Sequence, residues 1–513
     1  MLFKNKTLRI YRSFLKLKRI NKLEVIPNIR FRIEKFSFKV NRNNFFFSNL
    51  SKKDISILIN QITKKQIFNE KLNRSILLSL DNKEYFNNPL PSEITRQFKR
   101  SYNLKVNKKL SHFRWYINIL YNLIKDYFKF FKIVKLKKNL DINEDSIFIS
   151  DFSLTDFNTK KKYISKHNII SFFKNFVAEK FDFKIKNIYQ QETQDFDFDG
   201  ISVKKINIFS LDNYLSYIKF FFIFNLKFFI SLINLFFGNW KYAISLIEII
   251  KYDITLYKKK KLNNFELLFF DSSQFSYKPI WTLNFKKKIL LTYLSSNLKF
   301  LKKKINEKIC FTGYYDMSWN NIIVWNLNQK NFLKKFINKA KKIKFHLSGP
   351  VPTNHFKVPL LKKSEKYVCI FDVQPYSSSK RISHGLTEDY YNFKNSRKFI
   401  NDILELSKKL KFIILFKRKR NSQQLDQRYL NFLNLIKRNK NFIELNVKTS
   451  IFEMNKFSKC SISMPFTGAG YFSEEQKKKN YFYDAANELN KNYRNLIFTY
   501  DDLYRKVKKQ LIS

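Results

Sequence analysis

The stretch that decides the fold runs from Cys460 to Gly470 and reads Cys-Ser-Ile-Ser-Met-Pro-Phe-Thr-Gly-Ala-Gly. A short, largely apolar run stops at Pro465, and small residues follow it. The whole chain of 513 residues contains only 7 glycines, so two of them placed behind Pro-Phe-Thr indicate a need for backbone freedom. A strand that runs into a small-residue loop and then a helix is how open α/β folds present backbone amides to phosphate. The stretch therefore predicts an α/β fold with an anion-binding loop.

Short strands alternate with helical stretches through the second half of the chain. Strands are predicted at Tyr367–Phe371, Phe412–Phe416 and Phe442–Leu445, and residues 265–350 show the same alternation. Residues 350–364 contain three prolines and separate the two parts. Such alternation favours parallel, doubly wound sheets. We therefore predict two Rossmann-like domains that face a cleft, with an additional helical N-terminal region.

The composition divides the chain into four predicted segments. Residues 1–210 are basic and largely helical, with a mixed α/β part, and residues 211–350 hold amphipathic helices and the first Rossmann-like half. Residues 351–364 form the linker. Residues 365–513 form the second Rossmann-like domain.

The formal net charge of +58 has a general explanation. Abundant Lys, Asn, Ile and Phe beside few Gly and Pro are typical of a genome rich in A and T, which accounts for most of the charge. The charge still attracts anionic partners, including phospholipid surfaces, nucleic acid and phosphorylated substrates. The 3 cysteines lie singly in apolar runs and the 5 histidines show no metal-ligand spacing, so neither disulfides nor a metal site are expected.

The most apolar segment, residues 220–238, is about as long as a membrane span. Lys227 lies near its middle, where a charge costs about 2.5–3.5 kcal/mol on insertion scales. We expect a buried or interfacial helix, with contact to a membrane surface and a true span as alternatives. The basic N-terminus lacks an uninterrupted apolar run and a small-residue cleavage site, so we expect a cytoplasmic protein, peripheral on the inner membrane, although a mitochondrial targeting segment has similar features.

Three predicted strand ends carry polar groups that suit an anionic ligand, because ligands of open α/β sheets bind beyond the carboxyl ends of the strands. Asp372 follows the strand Tyr367–Phe371, a basic run follows Phe412–Phe416, and the Pro-Phe-Thr loop follows a further predicted strand, Cys460–Met464. The candidate phosphate-binding residues are Lys417, Lys419, Arg420, Pro465, Phe466, Thr467, Gly468 and Ala469. Cationic side chains and loop amides suit a diphosphate or a nucleotide monophosphate. A solvated charge cluster and a plain tight turn are the alternatives.

Several motifs resemble those of one bacterial family. Ser463–Thr467, followed by Asn480–Asp484, resembles the polysaccharide-biosynthesis proteins named for a Pro-Phe-Thr-Ser motif, in which a strand ending in Tyr-Tyr-Asp follows that motif. Further similar stretches lie at Pro279–Thr282, Tyr293–Asn297, Trp325–Asn326, Ser348–Val351, Ile370–Val373 and Phe416–Arg420. The chain departs from the family pattern at Gly468, where serine is usual, and at Arg418, where proline is usual.

The resemblance implies a function. The family is similar to two-domain glycosyltransferases of the GT-B kind, which implies transfer of a sugar from a nucleotide-sugar donor to a growing glycan or a lipid-linked acceptor. It puts the acceptor on residues 211–350 and the donor on residues 365–513. Tyr483 and Asp484 are then expected to contact the donor, with a strand-end carboxylate that caps a helix as the alternative.

A transferase of this kind that inverts the anomeric centre needs a group that takes the proton of the acceptor hydroxyl. The candidates are Asp271, Asp316 and Asp372, each an aspartate in the region of resemblance. The run Asp195–Asp199 lies outside that region and is predicted to be a solvated acidic loop. We therefore expect a metal-independent reaction without a cofactor, in which cationic side chains and loop amides stabilise the leaving phosphate.

Two other classes of protein are alternatives. A nucleic-acid or ribosome-associated protein would use the +58 charge, but the motifs cluster at predicted strand ends, which disfavours nucleic acid as a partner. A non-catalytic, membrane-associated component of an assembly complex would have a true span at residues 220–238. The expected partners are a nucleotide sugar, a glycan or lipid-linked acceptor and an anionic membrane surface.

Overall fold

The computed structural model describes residues 43–67, 91, 95, 108–136, 142–150, 152, 154–191, 193–271, 278–285, 287–292, 319–337, 342–359, 361–362, 365–375, 390–419, 425–489 and 496–512. Two of the predicted site residues, Asp316 and Arg420, lie outside these ranges.

Helices and strands alternate along most of the described chain. The described α-helices are α1 (Lys52–Ile67), α2 (Lys108–Ile133), α3 (Thr155–Thr159), α4 (Ile169–Phe181), α5 (Tyr214–Phe236), α6 (Lys241–Tyr257), α7 (Lys259–Leu262), α8 (Leu327–Phe336), α9 (Phe393–Leu410), α10 (Gln427–Ile436), α11 (Ile451–Phe457), α12 (Gly468–Glu475) and α13 (Tyr500–Ile512). The described strands are β1 (Ser146–Ile149), β2 (Asn187–Gln190), β3 (Phe196–Phe198), β4 (Ile201–Lys205), β5 (Phe265–Asp271), β6 (Lys288–Thr292), β7 (Asn321–Val324), β8 (Lys344–Leu347), β9 (Tyr367–Phe371), β10 (Ile413–Lys417), β11 (Phe442–Leu445), β12 (Ser458–Ser463), β13 (Asn480–Tyr483) and β14 (Leu496–Ile497).

The first sheet has the order β3-β4-β2-β1-β5-β6-β7-β8, and every neighbouring pair is parallel except β3 with β4. β1 lies inside the sheet with all its residues buried, and it pairs with β2 and β5. The boundary predicted at residue 210 needs correction, because it would divide this sheet: β1 to β4 precede it and belong to the first domain. β1 and β2 have four residues each. Strands this short do not show a clear alternation of apolar and polar residues in a sequence so rich in lysine.

The second sheet has the order β11-β10-β9-β12-β13-β14, and all its pairs are parallel. The predicted strands Tyr367–Phe371 and Phe442–Leu445 are found with the same limits, and the third runs from Ile413 to Lys417. The predicted fold class, two parallel α/β domains with helices added at the N-terminal side, is confirmed.

Alternate residues of the strands in the second sheet point into two different apolar layers. Val368 and Ile370 join a layer that includes side chains of α9 and α13. Cys369 and Phe371 join another layer, which continues through Trp325 and Phe356 to the buried face of the first sheet. The two domains therefore have one hydrophobic layer in common, which we call the shared layer.

The linker predicted at residues 351–364 takes part in that layer. Phe356 forms an antiparallel bridge with Ile164 and a parallel bridge with Thr449, so it lies between the two domains as a short extended segment. Its side chain is buried, as are those of Val351 and Val358. The linker is thus a packed part of the domain interface.

The acidic run Asp195–Asp199 differs from its predicted loop structure. Its central residues form β3, which pairs antiparallel with β4. Asp199 and Gly200 connect the two strands with positive φ angles of 52° and 73°. Asp-Gly is a sequence that favours such tight hairpin turns, so a local signal for this hairpin exists. The aspartates remain exposed, as predicted.

Helix α5 holds the apolar segment and packs against α6 and α2. It is the one helix of the described chain that is long and apolar enough to cross a membrane, by length and composition alone. Lys227 turns towards the protein, where its Nζ lies 2.5 Å from Asp253 Oδ2 of α6. Burial raises the pKa of Asp253, and the Lys227 ammonium opposes that rise. The mid-helix charge is therefore neutralised inside the protein.

Replacing Lys227 by Met leaves the Asp253 carboxyl group buried without its partner. We expect the free energy of unfolding to fall by about 3–5 kcal/mol, measured by urea denaturation. The double variant Lys227→Met/Asp253→Leu removes both charges and should be close to the parent in stability. A double variant as unstable as the single one would show that the loss comes from packing and not from the broken pair.

Candidate functional site

The second sheet has a topological switch point between β9 and β12. From β9 the chain adds β10 and β11 on one side, and it then returns to add β12 on the other. Ser463 lies opposite Phe371 in the register, and the Met464 amide donates to the Phe371 carbonyl at 2.8 Å. The next residue after β9, Asp372, therefore lies beside the Pro-Phe-Thr loop. This is the place where open α/β sheets bind ligands, and the structure brings these two predicted features together.

Asp372 is buried, with 5% of its surface exposed. The Tyr429 hydroxyl donates to its Oδ2, while its Oδ1 is buried without a hydrogen-bond partner in the described part of the chain. Burial raises the pKa of Asp372 to about 7. The side chain thus keeps an unused hydrogen-bonding atom at the switch point and is near the middle of its titration at neutral pH.

Lys417, the last residue of β10, is also buried, with 7% of its surface exposed. No carboxylate of the described residues lies within ion-pairing distance of its ammonium group. With the Asn354 amide oriented so that its oxygen faces the lysine, Asn354 accepts from Nζ at 3.2 Å. Burial lowers the pKa of Lys417 to about 8, and the charge of Lys419 acts in the same direction. A buried cation without an anionic partner is costly, so this position suits a bound anion.

The next two residues of the basic run, Arg418 and Lys419, have different surroundings. Arg418 pairs with Glu444 of β11, so its charge is neutralised within the protein. The Lys419 side chain is exposed to solvent, yet the atoms crowded around it lower its pKa, and the charge of Asp372 opposes this. Lys417 and Lys419 are therefore the described cations at this site.

The Pro-Phe-Thr loop turns the chain from β12 into α12. Phe466 has a φ angle of +61°, so the left-handed conformation is taken by this residue rather than by a glycine. Thr467 caps α12, and its Oγ1 accepts from the Gly470 amide at 3.1 Å. The helix thereby begins at the switch point, with the half-buried residues Gly468 and Ala469 in its first turn. Amides at a helix start have no partner within the helix and favour anions.

Gly470 serves close packing instead of the backbone freedom that we predicted. A Cβ atom at this position would lie 2.5 Å from Cε1 of Phe482 and 2.8 Å from Oγ of Ser463. Any side chain would push α12 away from β12 and β13. The glycine therefore brings the start of α12 against the sheet.

Tyr483 and Asp484 are committed to the protein interior. The Tyr483 hydroxyl donates to Asp402 Oδ2 of α9 at 2.6 Å. Asp484 is fully buried and accepts from the Tyr390 hydroxyl at 2.8 Å and from the Leu489 amide at 2.9 Å. Both side chains therefore serve the protein interior, and Asp484 holds the turn after β13 instead of capping a helix, which was the alternative.

The first sheet has its own switch point, between β1 and β5, because β2 and β6 lie on opposite sides of this pair. Asp271 is the last residue of β5 and pairs in register with Thr292. It is buried, with 8% of its surface exposed. Asp271 thus occupies in the first sheet the kind of position that Asp372 occupies in the second.

The carboxyl edges of the two sheets face each other. Trp325, which follows β7, packs edge-on against Phe472 of α12 with ring centroids 5.8 Å apart. Asn326 donates to Glu475 of the same helix at 2.8 Å. Ser165, which lies between β1 and α4, donates its hydroxyl hydrogen to Glu453 Oε1 of α11 at 2.7 Å. The segments that follow the strands of both sheets therefore meet at one interface.

A partly buried cluster of polar and charged side chains at this interface was not predicted from the sequence. His355 Nε2 lies 3.2 Å from Asp156 Oδ2, and Lys448 pairs with the same carboxylate. Burial lowers the pKa of His355, and Asp156 opposes this. The three residues come from α3, the linker and the loop after β11, and their wide separation in sequence gives no motif. Their contacts tie the domains together.

Replacing Asp372 by Asn removes a buried carboxyl group that titrates, and the amide oxygen still accepts from the Tyr429 hydroxyl. The pKa is raised from 3.8 to about 7 in the folded state, so between these values only the folded chain binds the proton, and the contribution of Asp372 to stability falls as the pH rises. The free energy of unfolding is measured by urea denaturation for Asp372→Asn and for the parent. We expect the difference, variant minus parent, to be about 2–3 kcal/mol larger at pH 8 than at pH 5.

Asp182→Asn, a change at an exposed aspartate, is the matched control for that measurement. An equal effect of Asp372→Asn at the two pH values would contradict the raised pKa.

Residues 226–500, a little more than half of the chain, match the sequence model of a family described as polysaccharide biosynthesis PFTS motif protein. The resemblance seen in the sequence is thereby confirmed. No curated protein matches the chain significantly.

Solved structures show distant similarity. Anabaena HepE in complex with UDP-glucose has a TM-score of 0.36 and 9% identity, covering 71% of this chain and 89% of that chain. A variant of the wall teichoic acid polymerase TagF with CDPG has a TM-score of 0.37 and 10% identity, covering 78% and 88%. An α,α-trehalose-phosphate synthase (UDP-forming) from Burkholderia vietnamiensis has a TM-score of 0.36 and 8% identity, covering 72% and 90%. Similarity at this level assigns no residue a role.

Proposed function

The chain belongs to the family of polysaccharide biosynthesis PFTS motif proteins, and on that premise we propose that it is a glycosyltransferase. It transfers a sugar from a nucleotide-sugar donor to a growing glycan or a lipid-linked acceptor. The observation that carries the proposal is the buried Lys417 ammonium at the carboxyl end of β10, which has no carboxylate partner among the described residues.

The donor diphosphate binds at the switch point of the second sheet. Its negative charge neutralises Lys417, and Lys419 adds a second cation from the exposed side. The first-turn amides of α12 supply hydrogen-bond donors to phosphate oxygens. As the bond between the sugar and the phosphate breaks, charge grows on the leaving diphosphate, and these same groups stabilise it.

Asp372 contributes a hydrogen-bond acceptor rather than a permanent charge. A carboxyl group with a pKa near 7 repels a diphosphate less than an ordinary carboxylate does, because about half of it is protonated at neutral pH. Its Oδ1 has no partner in the described part of the chain, so it is available to a hydroxyl group of the donor. We assign Asp372 to donor positioning.

Asp271 is the proposed general base. It lies at the switch point of the first sheet, the side on which the acceptor binds, and the carboxyl edges of the two sheets face each other. Its carboxylate takes the proton of the acceptor hydroxyl while that oxygen bonds to the sugar carbon and the nucleotide diphosphate leaves with its electron pair. Charged and polar groups of this chain suffice for that step, without a metal or a cofactor.

Nucleotide binding tests the donor site. UDP, GDP, CMP and their sugars are titrated against the full chain by calorimetry, and we expect one nucleotide family to bind. Lys417→Met removes the buried cation and should weaken that binding at least about tenfold, since a charge-assisted hydrogen bond contributes about 1.5–3 kcal/mol. Lys408→Met, an equal loss of charge on the exposed side of α9, should leave binding unchanged.

Equal effects of the two lysine variants would contradict the donor site. Binding to RNA that weakens with salt, together with no binding to any nucleotide, would favour the alternative of a nucleic-acid-associated protein.

Donor turnover tests Asp271. Release of nucleotide from the bound sugar donor is followed with water as the acceptor. Asp271→Asn should lower the rate constant about 100-fold or more and leave the dissociation constant of the donor unchanged, because the base acts on the acceptor side. Asp182→Asn should retain the parent rate. A variant at Asp271 that weakens donor binding instead would place this aspartate on the donor side.

A further inference from the structure

Helix α5 exposes large apolar side chains on the side turned away from the protein, where the surface helix of a water-soluble domain carries mostly polar residues. Its buried side holds polar residues such as Lys227 together with apolar ones such as Phe224, whereas its exposed side carries large apolar residues such as Phe222 and Phe229. Phe222 is 63% exposed and Phe229 is 56% exposed. Water normally selects the opposite arrangement, so this side of the helix is suited to an apolar environment.

Helix α2 extends the same apolar surface. It packs directly on α5, with the rings of Phe130 and Phe224 stacked at 4.4 Å and the Tyr127 hydroxyl donating to Asn225 at 3.2 Å. On its outer side it exposes a row of apolar residues at helical spacing. We call the joint surface the α2–α5 face; its main residues are Ile117, Ile124, Phe128, Phe222, Leu226 and Phe229. More than half of the exposed large apolar side chains of the described residues lie on these two helices.

Charge around the face has one dominant sign. The sequence of α5 contains no acidic residue. In α2, Arg114, Lys125 and Lys132 are exposed, and at about 100° per residue they fall on the flank turned away from α5. The acidic residue of α2, Asp126, is paired with Lys129. An apolar face with a cationic rim is complementary to the surface of an anionic bilayer.

The contacts of α5 favour a position in the plane of the bilayer surface. The buried Lys227–Asp253 pair and the stacking on α2 attach one side of the helix to the protein along its length. A membrane-crossing orientation would have to break this pair and expose Lys227 to lipid. A second copy of the chain is also disfavoured as the occupant, because a symmetric pairing would bring two cationic rims together.

We propose that the α2–α5 face docks on an anionic phospholipid bilayer, with its aromatic and aliphatic side chains inserted at the boundary of headgroups and acyl chains. The cations of α2 contact the headgroups. The proposal rests on this face alone and is independent of the donor site, which belongs to the second sheet.

Flotation of the full chain with vesicles tests the proposal. Vesicles of phosphatidylcholine with about 30% phosphatidylglycerol are compared with vesicles of phosphatidylcholine alone. We expect binding to the anionic vesicles, weakened several-fold by about 0.5 M salt and by omission of phosphatidylglycerol. Phe222→Glu/Phe229→Glu should lower the partition coefficient at least about tenfold, since it removes two inserted rings and adds two negative charges.

Leu327→Glu/Leu435→Glu is the matched control, because both leucines are exposed apolar residues outside α2 and α5. It adds the same charge and should bind vesicles as the parent does. Ile124→Glu/Phe128→Glu repeats the test on α2 and provides a second variant if the first is unstable to heating. Nucleotide titration of each variant reports on the donor site separately.

Parent-like vesicle binding by both face variants, or an absence of vesicle binding by the parent chain, would overturn the proposal. Light scattering after gel filtration supplies a third measurement. A dimeric parent that the face variants convert to monomers would assign the face to a second copy of the chain instead of to lipid.

Discussion

The shared layer holds the two sheets with their carboxyl edges face to face, and the arrangement of the site depends on it. Phe356 lies in this layer between Ile164 and Thr449, and Trp325 packs on Phe472 across the same interface. In a parallel sheet every strand ends at the same edge, so the polar residues that follow the strands collect there. Joining two such edges through buried apolar residues creates one site from segments that are distant in sequence.

A second functionally important feature is that two buried side chains, Lys417 and Asp372, are only partly paired with other groups. Lys417 has no carboxylate partner and Asp372 Oδ1 has no hydrogen-bond partner within the described chain, although both side chains are more than nine-tenths buried. Burial shifts their pKa values towards neutrality, downwards for Lys417 and upwards for Asp372. Lys417 still remains mostly protonated at neutral pH, whereas Asp372 is much less charged than it would be in water, which reduces the cost of burying it. A diphosphate would supply the anionic partner that Lys417 lacks among the described residues.

Sequence reasoning succeeded where the signal was local. The strands of the second sheet are short apolar runs bounded by polar residues, so their positions were predicted closely, and the order of motifs identified the family. It failed where neighbours in space decide. Tyr483 and Asp484 lie at a strand end as Asp372 does, but contacts with α9 and with Tyr390 turn them into the core. Gly470 was correctly singled out, but for the wrong reason, since its packing against β13 is a contact between different elements.

The sequence by itself determined the fold class, the family and the residues that follow the strands, because these depend on patterns within a few neighbouring positions. Only the tertiary structure decided that the strands before residue 210 join the first sheet, that the linker is buried, and which candidate residues keep unpaired atoms at a switch point. It also decided which side of α5 faces water. Lys227 looked like an obstacle in an apolar run, whereas Asp253, on another helix, neutralises it within the protein, while Phe222 and Phe229 of the same run stay exposed. Burial and pairing are relations between distant parts of a chain, and the linear sequence does not contain them.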